Sequence, residues 1–337
     1  MENRKKELIA QAVIKVLFSR FASFPEDTTN NRNAPFHEAF LHAFSEKLHG
    51  RVSNIKDYIS LSSWLQGLNT SLGQSFFESV AHILSDGEKR DFHENLIFAR
   101  QQNIISEIMT DLKNGEKTPS LRREDDLLFS SESRYGNKQA ASQFTADCFF
   151  ENDTEVVAIE LKSVRPNSGE MRGEKRKILE AKAILKELFP CKNVKYFFGF
   201  PFDPTATSDT EYDKRRFIAY LVEAEKFIDP SEILIADELW SFLLGEQGAM
   251  REILDIINRI ATPRFMDKYN LIQNKSCGYE NILSEWYLFS ARKIFDHKNT
   301  ITNRSDIRIF NQQIFKDGIY NDKRDILCYK YCNGQAR

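Results

Sequence analysis

Residues 144–164 read FTADCFFENDTEVVAIELKSV and decide the fold of this 337-residue chain. Two short runs that are rich in aromatic and β-branched residues, 143–150 and 155–164, are typical of β-strands. The polar residues 151–154 between them suit a tight turn. The two strands should therefore pair as an antiparallel hairpin.

The sequence after the hairpin predicts a helix and then another strand. Helical spacing of apolar residues runs over 173–189, and a continuous apolar run follows at 194–200, before Pro201. Together with the hairpin, these segments form a β-β-α-β unit. Two further strands are predicted at 126–130 and 215–222.

Both ends of the chain are predicted to be helical. Apolar residues at steps of three and four predict helices over about 8–21, 36–44, 70–84, 90–112, 233–244, 250–260 and 282–295. The predicted fold class is α/β, a mixed β-sheet core that is flanked by helices, with helical N-terminal and C-terminal regions. We expect a mainly helical region over 1–115 that contributes to the same fold, a catalytic core over 116–245, and a mainly helical region over 246–337.

The predicted hairpin carries three ionisable side chains. Because side chains alternate along a strand, Glu160 and Lys162 share one face of the second strand, and Asp147 lies in an otherwise apolar first strand. A buried acid is costly unless it is paired or binds a metal. Two carboxylates can bind Mg²⁺, and a lysine can position the attacking water and offset developing charge. Asp147, Glu160 and Lys162 are therefore candidate catalytic residues for phosphodiester hydrolysis; the alternative is an ordinary glutamate–lysine pair on a sheet.

The order of these motifs resembles the PD-(D/E)xK nuclease superfamily, in which an Asp, a hairpin, Glu-x-Lys, a helix and a strand follow one another. The first motif reads Ala146-Asp147 here, in place of Pro-Asp. Residues 160–182 and 68–78 also resemble the TdeIII-like group of type II restriction endonucleases, and the resemblance covers about 67–200. It implies a restriction endonuclease-like fold.

The resemblance also implies an activity: Mg²⁺-dependent, sequence-specific cleavage of double-stranded DNA at a short palindrome of the GGNCC kind. Cutting both strands of a palindrome implies a homodimer by symmetry, and a cognate DNA methyltransferase is implied as the partner that protects the host. Many nucleases of the superfamily carry an acid on a helix before the sheet. Glu78 is therefore a candidate metal ligand beside Asp147 and Glu160; the alternative is a surface acid.

Positive charge is concentrated directly after the candidate site. Residues 162–177 contain six Lys or Arg against two Glu, in a chain whose net charge is −2. Contact with DNA phosphates is the natural use of such a segment. The candidates are Arg165, Asn167, Arg172, Lys175, Arg176 and Lys177. The alternatives are a solvated helix N-terminus for the basic residues and ordinary turn chemistry for Asn167.

The composition is typical of a soluble, cytoplasmic globular protein. No stretch is long and apolar enough to span a bilayer, and five scattered cysteines suggest reduced thiols without disulfides. The chain lacks a Walker loop and a GxGxxG motif. His37 and His42 are five residues apart, which separates them around a helix and disfavours a shared metal.

Two other functions stay open on the sequence alone. The same site suits a structure-specific nuclease of DNA repair or recombination, which would prefer branched DNA. A non-catalytic DNA-binding module, in which Glu160 and Lys162 are only structural, predicts unchanged DNA and no requirement for Mg²⁺.

Overall fold

The chain forms two compact units. The structure, a computed structural model, describes residues 1–25, 34–52, 54–162 and 168–332. Unit 1 comprises Met1 and Phe77–Glu252, and unit 2 comprises Glu2–Phe76 and Ile253–Arg337.

Unit 1 is built on a five-stranded mixed sheet. In order across the sheet, the strands are β1 (Glu88–Phe92), β4 (Phe144–Glu151), β5 (Glu155–Leu161), β6 (Asn193–Phe200) and β7 (Ile233–Ile235). Strands β1, β4 and β5 pair antiparallel, whereas β5, β6 and β7 pair parallel. Two short strands, β2 (Leu96–Phe98) and β3 (Lys138–Ala140), form a separate antiparallel pair.

Helices make up most of the remaining described chain. In chain order they are α1 (Asn3–Ala22), α2 (Pro35–Leu41), α3 (Ser45–Leu48), α4 (Ile55–Ser71), α5 (Phe77–Ser85), α6 (Ala99–Asn114), α7 (Leu121–Phe129), α8 (Ser168–Leu188), α9 (Lys214–Tyr220), α10 (Ala224–Phe227), α11 (Asp237–Leu244), α12 (Ala249–Ile260), α13 (Phe265–Gln273), α14 (Tyr279–Glu285), α15 (Phe289–Asp296), α16 (Arg304–Asn311) and α17 (Lys323–Cys332). A π-helical turn, Leu72–Phe76, joins α4 to α5.

Strand β5 is the centre of unit 1 and is buried on both faces. Its middle residues, 156–160, are all buried, as expected where helices cover a sheet on both sides. On one face, α8 packs against β6 and buries Ile178 and Leu179. On the other face, Phe242 of α11 contacts Phe150 and Phe197, with ring centroids 6.3 and 5.4 Å apart. The sheet therefore lies between α8 and α11.

Gly199 of β6 permits a close approach next to the predicted site. A Cβ atom at this position would lie 2.9 Å from the side chains of Ile159 and Leu161, and 3.1 Å from Leu239 of α11. The missing side chain lets neighbouring elements meet at van der Waals distance. The Gly199 carbonyl also accepts the N–H of Lys162 at 2.9 Å, so the β5–β6 pairing extends to the candidate lysine.

Unit 2 is mainly helical, with an aromatic core. Trp286 is fully buried and stacks on Phe265, with ring centroids 5.4 Å apart. The strands β8 (Phe315–Lys316) and β9 (Ile319–Tyr320) form a short hairpin. Its turn residues Asp317 and Gly318 both have positive φ, the conformation that an Asp-Gly turn favours. None of the described helices of either unit has the length and apolarity needed to cross a bilayer.

The β-β-α-β prediction is confirmed by β4, β5, α8 and β6. The predicted strands at 126–130 and 215–222 are wrong, because most of these residues lie in α7 and α9. In both cases the residue before the helix caps it: Ser120 accepts the N–H of Arg123, and Asp213 accepts that of Arg215. A capping side chain satisfies a free amide at the helix start and favours helix over strand.

Three helix predictions also change. Residues 90–112 open with strands, since pairing with β4 outweighs helical spacing at 90–92, and only the later part is helical. The range 282–295 contains two helices, with a break at Tyr287, where φ is +58°. Residues 233–235 of the predicted helix 233–244 form strand β7, which pairs with β6, and the helix begins only at Asp237. Helix α4 was not predicted. The three-region division of the chain stays a prediction.

Candidate active site

Asp147 stands at the end of the β4–β5 pairing. Cys148 and Ile159 are the last paired residues, and beyond them the Leu161 N–H donates to Asp147 Oδ2 at 2.9 Å. The backbone carbonyl oxygen of Asp147 lies 2.6 Å from Nε2 of His82 on α5. Since a carbonyl oxygen only accepts, this ring nitrogen donates. Both the side chain and the backbone of Asp147 are therefore held in place.

A β-bulge in β4 takes Asp147 out of the regular pairing with β1. In the register of these strands, the single residue Lys89 is opposite two residues, Asp147 and Cys148. An extra residue of this kind bends the strand and redirects side chains, and bulges are common beside active sites. The bulge places Lys89 beside the candidate catalytic acid.

Glu160 and Lys162 belong to a network that joins β5 to α8. Lys162 Nζ lies 3.2 Å from Glu160 Oε1 and 2.9 Å from Oε1 of Glu174 on α8. Lys177, nearly one turn further along α8, brings its Nζ to 2.8 Å from Glu160 Oε2. The hydroxyl of Tyr196 donates to the same oxygen at 3.5 Å. The predicted pair is therefore held from two neighbouring elements.

The charges of the site perturb one another. Burial and the negative charge of Glu160 raise the pKa of the Asp147 carboxyl. Burial acts to lower the pKa of Lys162, but its hydrogen bond to Glu174 and the attraction of Glu160 outweigh this, and the net shift is upward. Lys162 is therefore a firmly protonated cation near neutral pH, whereas Asp147 is crowded by negative charge.

The third predicted metal ligand, Glu78, approaches from α5. Lys89 Nζ lies 3.1 Å from Glu78 Oε2 and 3.8 Å from Asp147 Oδ1. The ammonium group thus links the two carboxylates. Glu78 belongs to the same group of charges as Asp147, and the connection runs through a lysine that sequence analysis did not select.

The donor set suits Mg²⁺. Within the described residues, no group of three or more His, Cys, Asp and Glu side chains is arranged so that it could hold a metal ion. However, Asp147 and Glu160 supply carboxylate oxygens, the ligands that Mg²⁺ prefers. Their repulsion, which contributes to the raised pKa of Asp147, is what a bound cation relieves. The chemistry of these two carboxylates fits the metal; Glu78, which is linked to Asp147 through Lys89, stays a predicted third donor.

Three of the predicted DNA-contacting residues lie on α8 and are exposed or partly exposed. Arg172 and Arg176 are exposed, and Arg176 pairs with Glu180 at 3.7 Å. Lys177 is partly exposed and pairs with Glu160. Arg165 and Asn167 lie outside the described residues.

Lys175 does not belong to this surface. Its ammonium group is 2.5 Å from Glu124 and 2.7 Å from Glu232, and all three side chains are fully buried. Burial acts to lower the pKa of Lys175, but the attraction of Glu232 and Glu124 makes the net shift upward. A buried ammonium group that is held by two carboxylates cannot reach a phosphate. Lys175 is therefore reassigned to the core.

Sequence analysis missed four residues that contact the site, namely His82, Lys89, Glu174 and Tyr196. One of them had a usable signal, since His82 follows Glu78 by four residues and so shares its face of a helix. Lys89 belongs to a strand that was not predicted, and Glu174 was counted only as a charge in a basic segment. Their roles depend on pairing between distant parts of the chain.

Comparisons with known proteins give relatives over most of the chain. The model of a family described as "Type II restriction endonuclease, HinfI" matches residues 1–261. The type II restriction enzyme MjaII of Methanocaldococcus jannaschii is 45% identical over 306 residues, which cover 84% of this chain and 82% of that enzyme. The finer resemblance to the TdeIII-like group is not confirmed, because the matching family model is a different one.

Proposed function

The chain belongs to the HinfI family of type II restriction endonucleases, and from this premise we propose that it cuts double-stranded DNA at the site formed by Asp147, Glu160 and Lys162. The observation that carries the proposal is that these residues lie close together where the β4–β5 pairing ends. Lys162 Nζ is 3.2 Å from Glu160, and the charge of Glu160 perturbs Asp147.

Asp147 and Glu160 would hold Mg²⁺, with Glu78 completing the protein ligands. When bound, the metal lowers the pKa of a water molecule and offsets negative charge on the phosphate. Support for this role comes from the carboxylate donors and from their electrostatic crowding. The hydrogen bond from the Leu161 N–H keeps Oδ2 of Asp147 oriented without a metal.

Lys162 would stabilise negative charge at the reacting phosphate. Because Glu160 and Glu174 favour its protonated form, it is a hydrogen-bond donor and a cation near neutral pH. It therefore positions the attacking water and the phosphate oxygens, and does not remove a proton. Glu174 holds the Lys162 ammonium group from α8 at 2.9 Å.

The exposed basic residues beside the site would contact the DNA backbone. Arg172 and Arg176 lie at the surface of α8, where Coulomb attraction to phosphates is the expected use. Lys177, Arg165 and Asn167 complete this proposed set.

We propose a short palindromic target of the GGNCC kind, which rests on the resemblance to the TdeIII-like group. Symmetric cleavage of a palindrome favours a homodimer, and host protection requires a cognate DNA methyltransferase. Sedimentation of the protein alone and with a palindromic duplex tests whether it is a homodimer. Cleavage of methylated and unmethylated plasmid tests whether methylation protects the DNA.

The main experiment incubates the purified protein with sequenced plasmid DNA, in Mg²⁺ or in EDTA. We expect discrete fragments in Mg²⁺ only, and sequencing of their ends gives the target. Lys162→Met should cut at least about 100-fold more slowly, as when a transition-state donor is removed. Lys195→Met is the matched control, because Lys195 is a strand lysine on β6 that is ion-paired with Glu155 at the other end of β5.

Three results would contradict the proposal: intact DNA in Mg²⁺ with folded protein, full activity in EDTA, or equal rates for the wild type and Lys162→Met. A preference for branched over linear DNA of the same sequence would favour the structure-specific repair nuclease instead.

A further inference from the structure

We propose that Lys89 is a built-in counter-ion of the active site, whose ammonium group neutralises Glu78 and Asp147 in the metal-free protein and must be displaced when a divalent cation binds. The inference rests on the proposed function, because it assumes that these carboxylates are metal ligands. It assigns Lys89 as a positioning residue that lowers the affinity for metal.

The position of Lys89 supports this role. Its Nζ lies 3.1 Å from Glu78 Oε2 and 3.8 Å from Asp147 Oδ1, so one positive charge stands between two acids from different elements. Both pairings arise from the fold: Glu78 comes from α5, and the β-bulge sets Asp147 opposite Lys89. A cation that occupies this place and a metal ion that needs the same oxygens exclude each other.

The other lysines of the site are held differently. Lys162 and Lys177 both pair with Glu160, and their side chains are 18% and 34% exposed. The Lys89 side chain is 49% exposed and stands on β1, at the edge of the sheet. It can swing into solvent or towards a phosphate without opening the packed core. Lys89 is therefore the lysine best placed to leave when a metal arrives.

The charge balance gives the expected direction. Glu78 and Asp147 together carry two negative charges, and Lys89 cancels one of them. A divalent cation that enters the site must either bind against the repulsion of this ammonium group or displace it. Removing the lysine charge should therefore strengthen metal binding, which is the opposite of the usual effect of mutating an active-site residue.

The experiment measures Mg²⁺ binding by titration calorimetry, and Mn²⁺ binding by the electron paramagnetic resonance signal of the free ion, both without DNA. We expect Lys89→Met to bind either metal about tenfold more tightly than the wild type, the effect of removing one neighbouring unit charge. Lys89→Arg, which keeps the charge, and Lys195→Met, which removes a strand lysine elsewhere, should bind as the wild type does. Since Lys89 is half exposed, the fold should tolerate each change, and circular dichroism checks this.

A second variant keeps the inference testable if Lys89→Met is unstable. Lys89→Gln is shorter and polar, and it should show the same gain. The double variant Glu78→Gln/Lys89→Met should lose the gain, because the additional affinity depends on the freed carboxylate.

Equal or weaker metal affinity of Lys89→Met and Lys89→Gln, including undetectable binding in all proteins, overturns the inference. Its failure is distinct from failure of the proposed function. A wild type that cuts DNA in Mg²⁺ and binds metal no less tightly than the Lys89 variants disproves only the counter-ion role. A wild type that neither cuts nor binds metal disproves the proposed function as well.

Discussion

Asp147 is a residue at which stability and activity are in conflict. Burial and the charge of Glu160 raise the pKa of its carboxyl, so the ionised form is less favourable in the folded protein than in the unfolded chain. Active sites often keep such unfavourable arrangements because the reaction needs them. The Leu161 amide and Lys89 offset only part of this cost.

Replacing Asp147 with Asn should abolish cleavage and yet stabilise the metal-free protein. Asn keeps an oxygen that can accept the Leu161 N–H but carries no charge, so we expect the thermal midpoint at pH 7 to rise by about 2 °C. Differential scanning calorimetry in EDTA measures the midpoint. A lower midpoint for Asp147→Asn at pH 7 would contradict this.

The same substitution makes a prediction about pH. Because the folded pKa of Asp147 is raised, the folded state binds this proton more tightly, and wild-type stability increases as pH falls through the folded pKa towards the ordinary value. The midpoint difference between the two proteins should therefore shrink as the pH falls from 7 towards 3.8, the ordinary pKa of this carboxyl. A constant difference would show that the charge of Asp147 does not matter for stability.

Gly199 offers a second residue-scale test. A Cβ atom would lie 2.9 Å from Ile159 and Leu161, so Gly199→Ala should displace the end of β5, with a loss of about 1–3 kcal/mol in the free energy of unfolding. Gly173→Ala is the matched control. A Cβ atom at this position of α8 would meet nothing within 4 Å, so the substitution should raise the free energy of unfolding by up to about 1 kcal/mol. Urea unfolding measures both.

Residues of the site could be predicted where the local pattern contains the information. Asp147, Glu160 and Lys162 are charged residues in apolar strands, and alternation alone places the last two on one face. Lys89 and Glu174 could not be found in this way. Each reaches the site through contacts with residues that are more than ten positions away, and a periodic pattern does not encode such contacts.

At the scale of elements, helix α8 shows why the charge of a segment is a poor guide to its use. Successive residues have different surroundings: Glu174 contacts Lys162, Lys175 is buried, Arg176 is exposed, and Lys177 pairs with Glu160. Each step around a helix rotates the side chain by about 100°. The segment therefore combines core, surface and site, although its composition indicates only positive charge.

Lys175→Met should destabilise the protein by about 3–5 kcal/mol, because it leaves Glu124 and Glu232 buried without their cation. Arg176→Met, the next residue on the same helix, should change the free energy of unfolding by less than about 0.5 kcal/mol but weaken DNA binding. Urea unfolding and filter binding separate the two effects. Similar stabilities for the two variants would contradict the buried role of Lys175.

Elements were predicted well where both period and length were clear, as for β4, β5, α8 and β6. Short segments were not. The sequences of residues 126–130 and 215–222 suit a short helix as well as a strand. The capping side chains of Ser120 and Asp213 favour the helix. Strand β1 was missed because its charged sequence becomes a strand only by pairing with β4.

At the scale of the molecule, all described candidate catalytic residues belong to unit 1, which contains residues 77–252. The sequence predicted a restriction endonuclease-like sheet, and the five-stranded order confirms it. The composition could not predict which residues form a compact unit, because unit 2 combines segments from both ends of the chain. That combination depends on long-range packing between helices.

The position of β5 at the centre of the sheet has a consequence for how unit 1 comes apart. Amide protons of β5 should exchange with heavy water only when the whole unit unfolds, whereas those of the edge strand β1, next to a bulge, should exchange through local opening. We expect at least about 100-fold slower exchange over 155–161 than over 88–92 by mass spectrometry. Equal rates would show that the sheet opens as one body.

Local opening of this kind would inactivate the enzyme before it melts. The Glu160–Lys162 pair stands at the end of the most protected strand, whereas the bulge that redirects Asp147 depends on pairing with the edge strand β1. Low concentrations of urea should therefore separate β1 from Asp147 while the centre of the sheet persists. Cleavage should then disappear at a lower urea concentration than the circular dichroism signal, and removal of the urea should restore it without refolding of the core.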